Sequence, residues 1–129
     1  MIAGYQSLSQ PYHLDSTFSE DGKLKLSSFF YNEEIAAWAI DGDQRIYVAV
    51  NTIPQYIIRL LADGTTDASF TALSVASLFY WGGSIKEMHT DSLNRLHVLA
   101  YAEGPNYESL YYVARINENG LQDQSYGNY

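Results

Sequence analysis

The sequence has no cysteine among its 129 residues, so it can form neither disulfide bonds nor thiolate metal sites. Basic residues are also scarce, with seven Lys and Arg against fifteen Asp and Glu and a formal net charge of -8. Because affinity for nucleic acids and for anionic membranes depends on clustered basic side chains, we expect neither as a partner. No apolar stretch approaches the roughly 18 residues of a membrane span, and the N-terminus as given lacks a secretory leader.

Apolar and aromatic residues are plentiful: 47% of the chain is hydrophobic and 15% is aromatic, including twelve Tyr. This composition favours one folded domain built from strands. Apolar or alternating segments bounded by turn signals predict strands in two series. The first series comprises residues 23–27, 35–40, 45–50 and 56–61, and the second comprises residues 73–79, 85–90, 95–100 and 110–117.

The two series belong to an internal repeat. Residues 57–70 return 56 positions later as residues 113–126, with Arg, Gly, Asp, Ser and an aromatic ring in register. A third, partial copy of the motif occupies residues 14–18, as Leu-Asp-Ser-Thr-Phe. Four strands in each of two repeats of 50 to 60 residues are typical of β-propeller blades or of a comparable β array.

These motifs resemble the delta-60 repeat, a bacterial β-propeller-type module, and the likeness covers residues 14–126. The resemblance implies an all-β fold of two four-stranded antiparallel propeller-like blades, which oligomerisation would complete to a full propeller. We therefore divide the chain into an N-terminal arm (1–13), a first repeat (14–70) and a second repeat (71–129). The compartment stays open between a bacterial cytoplasm and secretion by a non-standard route.

The repeated motif residues are interpreted as structural parts of a blade junction. Gly supplies a positive φ in the turn after the last strand, and Asp accepts backbone N–H groups in the crossing to the next blade. Aromatic rings fill the seam, and each Arg pairs with a carboxylate, for which the repeat Asp is a candidate. The predicted junction residues are Asp15, Phe18, Arg59, Gly64, Asp67, Phe70, Arg115, Gly120, Asp123 and Tyr126.

Four other aromatic residues are candidates for binding a ligand. Tyr80 and Trp81 end a predicted strand, and Tyr101 and Tyr107 surround the longest predicted loop of the second repeat. There are more rings than one core face can hide, since neighbours on a strand point to opposite sides. Exposed rings with a polar group are suited to stacking on sugars or to burial against another chain.

The sequence favours a non-catalytic structural or protein-interaction module, and the alternative is a carbohydrate-binding lectin assembled as an oligomeric propeller. No catalytic set, nucleophile motif or cofactor site stands out, and His89 with His97 lacks a third metal ligand. We expect a homo-oligomer or another protein as partner, with a glycan as a further option. Two blades need two junction motifs, and this chain has three. In an assembly, residues 14–18 of one chain and residues 122–126 of the next would therefore compete for the same seam between blades.

Overall fold

The structure is a computed structural model that describes residues 13–26, 34–52, 54–78 and 83–127. The predicted all-β class is confirmed, because seven strands and one short helix make up the regular structure of these residues. The strands are β1 (Ile35–Ile40), β2 (Ile46–Val50), β3 (Tyr56–Leu60), β4 (Leu73–Ser74), β5 (Ser84–Thr90), β6 (Leu96–Glu103) and β7 (Ser109–Ile116), and the helix is α1 (Val75–Leu78).

The first sheet is antiparallel, with the strand order β1-β2-β3-β4. Its last strand corrects the prediction of one strand over residues 73–79, since only Leu73–Ser74 pairs with β3 and the chain then turns into α1. The Val75 N–H donates to the Gln55 carbonyl, and the Ser77 hydroxyl donates to the Ser74 carbonyl at 2.6 Å. Since Ser74 already lies opposite Tyr56, where β3 begins, pairing with β3 ends there and α1 follows.

The second sheet is antiparallel with the order β5-β6-β7, so within the described residues it has three strands and not the predicted four. The missing strand has a simple cause: the segment expected to begin the second sheet instead closes the first one. The predicted strand 23–27 is also wrong for its described part, because residues 23–26 join neither sheet. Of the predicted N-terminal arm, only His13 lies within the described residues.

The two sheets match in detail at positions 50 apart. Ile35 pairs with Val50 and Ile85 pairs with Ala100, and in both sheets the register shifts immediately afterwards through a β-bulge. The following hairpin turns match as well, since Gln44 (φ 62°) and Asn94 (φ 58°) both adopt the left-handed conformation. For β3 and β7 the offset is 56 positions, so Val48–Ile58 corresponds to Val98–Ala114. The longer β6–β7 hairpin accounts for the difference.

The core lies between the two sheets. Alternate residues of β1, β2 and β3 face the second sheet and pack against alternate residues of β5, β6 and β7. Alanines on β1 allow this strand to approach β5 closely. The buried residues of this core are Ala39, Tyr47, Ala49, Ile57, Phe70, Val75, Ile85, Met88, Leu96, Val98, Ala100, Ala114 and Ile116.

A smaller cluster lies on the opposite side of the first sheet. Val48, Val50, Ile58 and Leu60 form its buried part, and the N-terminal residues Leu24 and Leu26, together with Ile46, pack against it. Residues 13–26 therefore cover part of the first sheet's outer face without adding a strand to that sheet.

Candidate functional site

The three Asp-x-Ser/Thr-aromatic motifs form the same turn. The Asp carboxylate accepts the backbone N–H of the Ser or Thr two positions later at 2.9–3.0 Å, and the hydroxyl of that residue at 2.6 Å. The backbone N–H of the aromatic residue bonds to the Asp carbonyl. Each turn is thus closed by its own residues. They are the N-terminal motif (residues 15–18), the central motif (residues 67–70) and the C-terminal motif (residues 123–126).

Arg59 holds the central motif against the first sheet. Its Nε and Nη2 atoms both lie 2.8 Å from Asp67 Oδ2. The guanidinium carbon is 4.8 Å from the ring centroid of Phe70 and 5.6 Å from that of Tyr47. Arg59 keeps only 2% of its surface exposed. A buried cation is tolerated only when it is paired and hydrogen-bonded, so these contacts support the structural interpretation of Arg59.

The central motif also contacts the second sheet. Arg59 Nη1 donates to the Glu118 carbonyl at 2.6 Å, and the Thr71 N–H donates to the Asn119 carbonyl at 3.3 Å. Gly120 (φ 86°) lets this turn approach, since a Cβ there would lie 2.6 Å from the Thr71 carbonyl oxygen and 3.4 Å from the Phe70 ring. The central motif therefore joins an arginine of one sheet to a glycine turn of the next.

The N-terminal motif rests on a glycine turn, as the central motif does. The Ser19 N–H donates to the Asp63 carbonyl at 2.7 Å, and Phe18 ring atoms lie 3.1 and 3.2 Å from the position of a Cβ on Gly64. The Asp15 carboxylate is exposed and bonds to Thr17 alone, with no arginine within ion-pair distance in the described ranges.

The C-terminal motif is paired with an arginine, as the central motif is. Arg115 Nη2 lies 2.6 Å and Nε 2.8 Å from Asp123 Oδ2, and the Arg115 guanidinium carbon is 4.5 Å from the Tyr126 ring centroid. His97 takes the place that Tyr47 has in the first sheet and meets Tyr126 edge-on at 5.4 Å. A Cβ on Gly127 would have no neighbour within 4 Å, so no glycine turn covers this motif in the described chain.

Two further carboxylates close the hairpin turns that precede β2 and β6. Asp91 accepts bonds from the Arg95 side chain and backbone and from His97 Nε2, and these contacts hold the pKa of the Asp91 carboxyl well below its usual range, Arg95 contributing most. Asp41 makes the same two bonds to Arg45, whose Nη1 also reaches Glu118 Oε1 at 2.7 Å. This second arginine also links the two sheets.

The turn carboxylates predict loss of stability in acid. The Ser125 hydroxyl, with the Arg115 guanidinium, lowers the pKa of Asp123 to about 2, and the Ser69 hydroxyl lowers the pKa of Asp67. Since these pKa values lie below that of an unfolded Asp, about 3.9, the stabilisation is complete above that pH and is lost as the pH falls towards the folded values. We expect a melting temperature that is flat from about pH 5 to 8 and falls below about pH 4.

Asp123→Asn tests this origin of the acid sensitivity. The variant should melt lower than the wild type at neutral pH and show a smaller further decrease between about pH 4 and 2. Thermal melts followed by circular dichroism across this range measure both quantities. A wild-type melting temperature that stays constant down to pH 2 would contradict the assignment.

The predicted ligand-binding aromatic residues are not brought together as a group. Tyr80 and Trp81 lie outside the described residues. Tyr107 is 87% exposed at the tip of the β6–β7 hairpin, whereas Tyr101 lies on β6 with its ring 5.5 Å from that of Tyr111, in an edge-to-face arrangement. The Lys86 ammonium lies 5.6 Å from the Tyr101 ring centroid.

Each sheet also has a face that points away from the other sheet, and neither face was predicted from the sequence. The first outward face carries the exposed residues Ile35, Trp38 and Ile40 beside an open groove of about 290 Å³ that Phe18 and Leu24 also line. The first outward face comprises Ile35, Trp38, Ile40, Ile46, Val48, Val50, Ile58 and Leu60. The second outward face comprises Glu87, His89, His97, Leu99, Val113 and Arg115.

Comparison with known proteins leaves the family undetermined, because no protein-family model and no curated protein sequence matches this chain significantly. The resemblance to delta-60 repeats thus stays a prediction. The described residues contain no cluster of three or more His, Asp or Glu able to hold a metal ion. Among the same residues, no helix is long and apolar enough to cross a membrane.

Proposed function

We propose that this chain is a non-catalytic structural and interaction module of the β-propeller type, whose two sheets are blade-like repeats that associate with further sheets at both ends. One observation carries the proposal: the two outward faces repeat, position by position, the two faces that are buried against each other inside the chain. A second copy of the chain is the simplest partner that offers both faces.

The first outward face corresponds to the buried face of the second sheet. Ile35, Trp38 and Val48 occupy the positions of Ile85, Met88 and Val98, which are 2%, 7% and 0% exposed at the junction. Ile35 and Trp38, by contrast, are 53% and 62% exposed, whereas Val48 is 3% exposed in the cluster on which Leu24 and Leu26 pack. Exposed apolar patches of this kind mark interaction surfaces in soluble proteins.

The second outward face corresponds to the buried face of the first sheet, with a more polar composition. His97, Leu99 and Val113 replace Tyr47, Ala49 and Ile57, while Glu87 and His89 replace Ala37 and Ala39. Larger side chains at the last two positions would keep a second copy further away than β5 is from β1. A polar rim and looser packing are typical of contacts between separately folded chains, so we expect association in the micromolar range or weaker.

The charged groups support a structural role. Asp15, Asp63, Asp67, Asp91 and Asp123 have lowered pKa values, and each of these carboxylates accepts hydrogen bonds that close its own turn. The shifted ionisations are thus accounted for by turn closure and by pairing with arginine, and they do not require a catalytic interpretation.

Self-association tests the proposal. Sedimentation velocity of the wild type should give a molar mass that rises with concentration above the monomer mass of 14.5 kDa. Trp38→Glu on the first outward face and Val113→Arg on the second should each abolish the rise, because each places a charge in one half of the contact. Tyr107→Arg is the matched control, since Tyr107 is the more exposed residue and belongs to neither face.

If the molar mass of the wild type and of Asp123→Ala, which removes the partner of Arg115, stays monomeric at all concentrations, association between copies is rejected. If Tyr107→Arg loses the rise in molar mass to the same extent, the two outward faces are not the surfaces that associate. If association closes into a ring, roughly two to four copies would supply the four to eight blades of known propellers.

A glycan-binding function is the second candidate, and the Tyr101–Tyr111 pair favours it. Tyr111 is 69% exposed next to the Lys86–Tyr101 contact, which gives an aromatic surface with a cationic neighbour. Sugars stack on such rings. A glycan array on which the wild type binds and Tyr111→Ala does not would support this candidate, and an array without any signal would reject it.

A further inference from the structure

The contacts of the two terminal motifs indicate how two copies of the chain join, an inference that rests on the proposed function. Inside the chain a complete junction requires one motif with two contacts, because the central motif holds Arg59 of the first sheet and rests on the Gly120 turn of the second. Of these two contacts, the N-terminal motif makes the one with a glycine turn and the C-terminal motif makes the one with an arginine, as far as the described residues show. The two ends are therefore complementary halves of one junction.

We propose that two copies join by motif exchange, in which Asp15 of one copy replaces Asp123 on Arg115 of the second copy. Phe18 stays on the Gly64 turn of its own chain, as Phe70 rests on the Gly120 turn. The N-terminal motif then makes both contacts of the central motif, and the second copy's C-terminal motif is released. In a single copy the C-terminal motif blocks Arg115 and limits association.

The contacts exchanged are close to equivalent. Asp15 and Asp123 sit in turns with the same hydroxyl distance of 2.6 Å, so neither motif needs to refold to present its carboxylate. Phe18 would replace Tyr126 over the Arg115 guanidinium, where Tyr126 now lies 4.5 Å away. Since the pair at Arg115 is broken and remade, the net gain comes from burial of the two outward faces.

The N-terminal motif is the better anchored of the two in its own chain. Its Ser19 N–H bonds to the Asp63 carbonyl, and Leu24 and Leu26 further along pack on the first sheet. The C-terminal motif is held by the Arg115 ion pair, with Tyr126 packed edge-on against His97, and this ion pair is the contact that an Asp of another copy can take over. Because of this difference, we expect the C-terminal motif to dissociate from Arg115 and the N-terminal motif to link the two copies.

Three variants test the exchange by sedimentation velocity. Asp123→Ala should strengthen self-association about tenfold, because it removes the internal competitor for Arg115. Asp15→Ala should weaken self-association about tenfold, and it should cancel the gain when combined with Asp123→Ala. Glu108→Ala is the control with no expected change, since the Glu108 carboxylate also closes a turn, accepting the Asn106 N–H at 2.8 Å, but lies in the β6–β7 hairpin away from the three motifs and their contacts.

Circular dichroism of each variant confirms that it is folded, which matters because Asp123→Ala leaves Arg115 unpaired. If self-association persists but Asp123→Ala weakens it and Asp15→Ala leaves it unchanged, the exchange is wrong while the proposed function stands. A gain produced by Phe18→Ala would also overturn the exchange, because it would mean that Tyr126 bridges to the Gly64 turn. If the wild type and Asp123→Ala are both monomeric throughout, both proposals fail.

Discussion

Arg59→Ala is expected to lower the free energy of unfolding by about 3–5 kcal/mol, the usual cost of removing one partner of a buried ion pair. The substitution leaves the Asp67 carboxylate without its cation, removes the bond to the Glu118 carbonyl and leaves space between the Tyr47 and Phe70 rings. Domains of this size are stable by only about 5–15 kcal/mol in total. Urea denaturation at neutral pH measures the loss.

Arg115→Ala is the matched control for this prediction. Arg115 makes the same pair with Asp123 and the same contact with an aromatic ring, but its side chain is 17% exposed where that of Arg59 is 1% exposed. Water can solvate the Asp123 carboxylate that remains, so we expect a clearly smaller loss than for Arg59→Ala. Equal losses in the two variants would show that burial at the sheet junction does not determine the effect.

Gly120→Ala should be the second most damaging substitution, with a loss of about 2–4 kcal/mol. Part of this cost is conformational, because an alanine at φ 86° is strained. The larger part arises because the new Cβ would lie 2.6 Å from the Thr71 carbonyl oxygen, a backbone atom that can move only if the two sheets separate.

Two other glycines with positive φ separate the conformational cost from the steric cost. Gly64→Ala meets Phe18 ring atoms at 3.1 Å and 3.2 Å, and a side chain can shift, so its loss should be intermediate. Gly127→Ala meets no atom within 4 Å and should cost about 1 kcal/mol at most. Urea denaturation of the three variants should give this order. A Gly127→Ala loss equal to that of Gly120→Ala would contradict the steric account.

The sequence predicted the hairpin strands and the arginine–aspartate pairing well. Strands 35–40, 45–50 and 56–61 correspond closely to β1, β2 and β3, because two of these apolar runs end at Asp-Gly turn signals and the second ends before a loop marked by Pro54. The proposed pairing of Arg59 with the repeat Asp is present as the Arg59–Asp67 ion pair. An arginine inside an apolar strand must find a carboxylate nearby, and the repeat offered one at a fixed distance along the chain.

The prediction was wrong where long-range pairing decides the structure. Residues 73–79 alternate like a strand, yet of the described residues 73–78 only two pair, because Ser74 already lies opposite Tyr56, the first residue of β3, and α1 follows. Alternation gives the face of a strand and not its partner, so the sequence could not show that this segment closes the first sheet. The outward position of Trp38 was hidden for the same reason, since a tryptophan between alanines is also compatible with a core.

The structure also accounts for three motifs in a chain of two sheets. A motif can contact an arginine of one sheet and the glycine turn of the neighbouring sheet. The described residues contain two such arginines, Arg59 and Arg115, and two such turns, at Gly64 and Gly120, but only Arg59 and the Gly120 turn share one motif. The remaining arginine and the remaining glycine turn each hold one terminal motif. The two terminal motifs therefore use different contacts within one chain, and competition between them for one seam stays a prediction for an assembly of several chains.

The most direct test of the head-to-tail account is the molar mass of an equimolar mixture of Trp38→Glu and Val113→Arg. Each variant has one intact outward face, so each should be monomeric alone, while the mixture should form a 1:1 dimer of twice 14.5 kDa and nothing larger. A dimer formed by either variant alone would show that a face pairs with its own kind. A mixture that stays monomeric at concentrations where the wild type associates would contradict the pairing of the two outward faces.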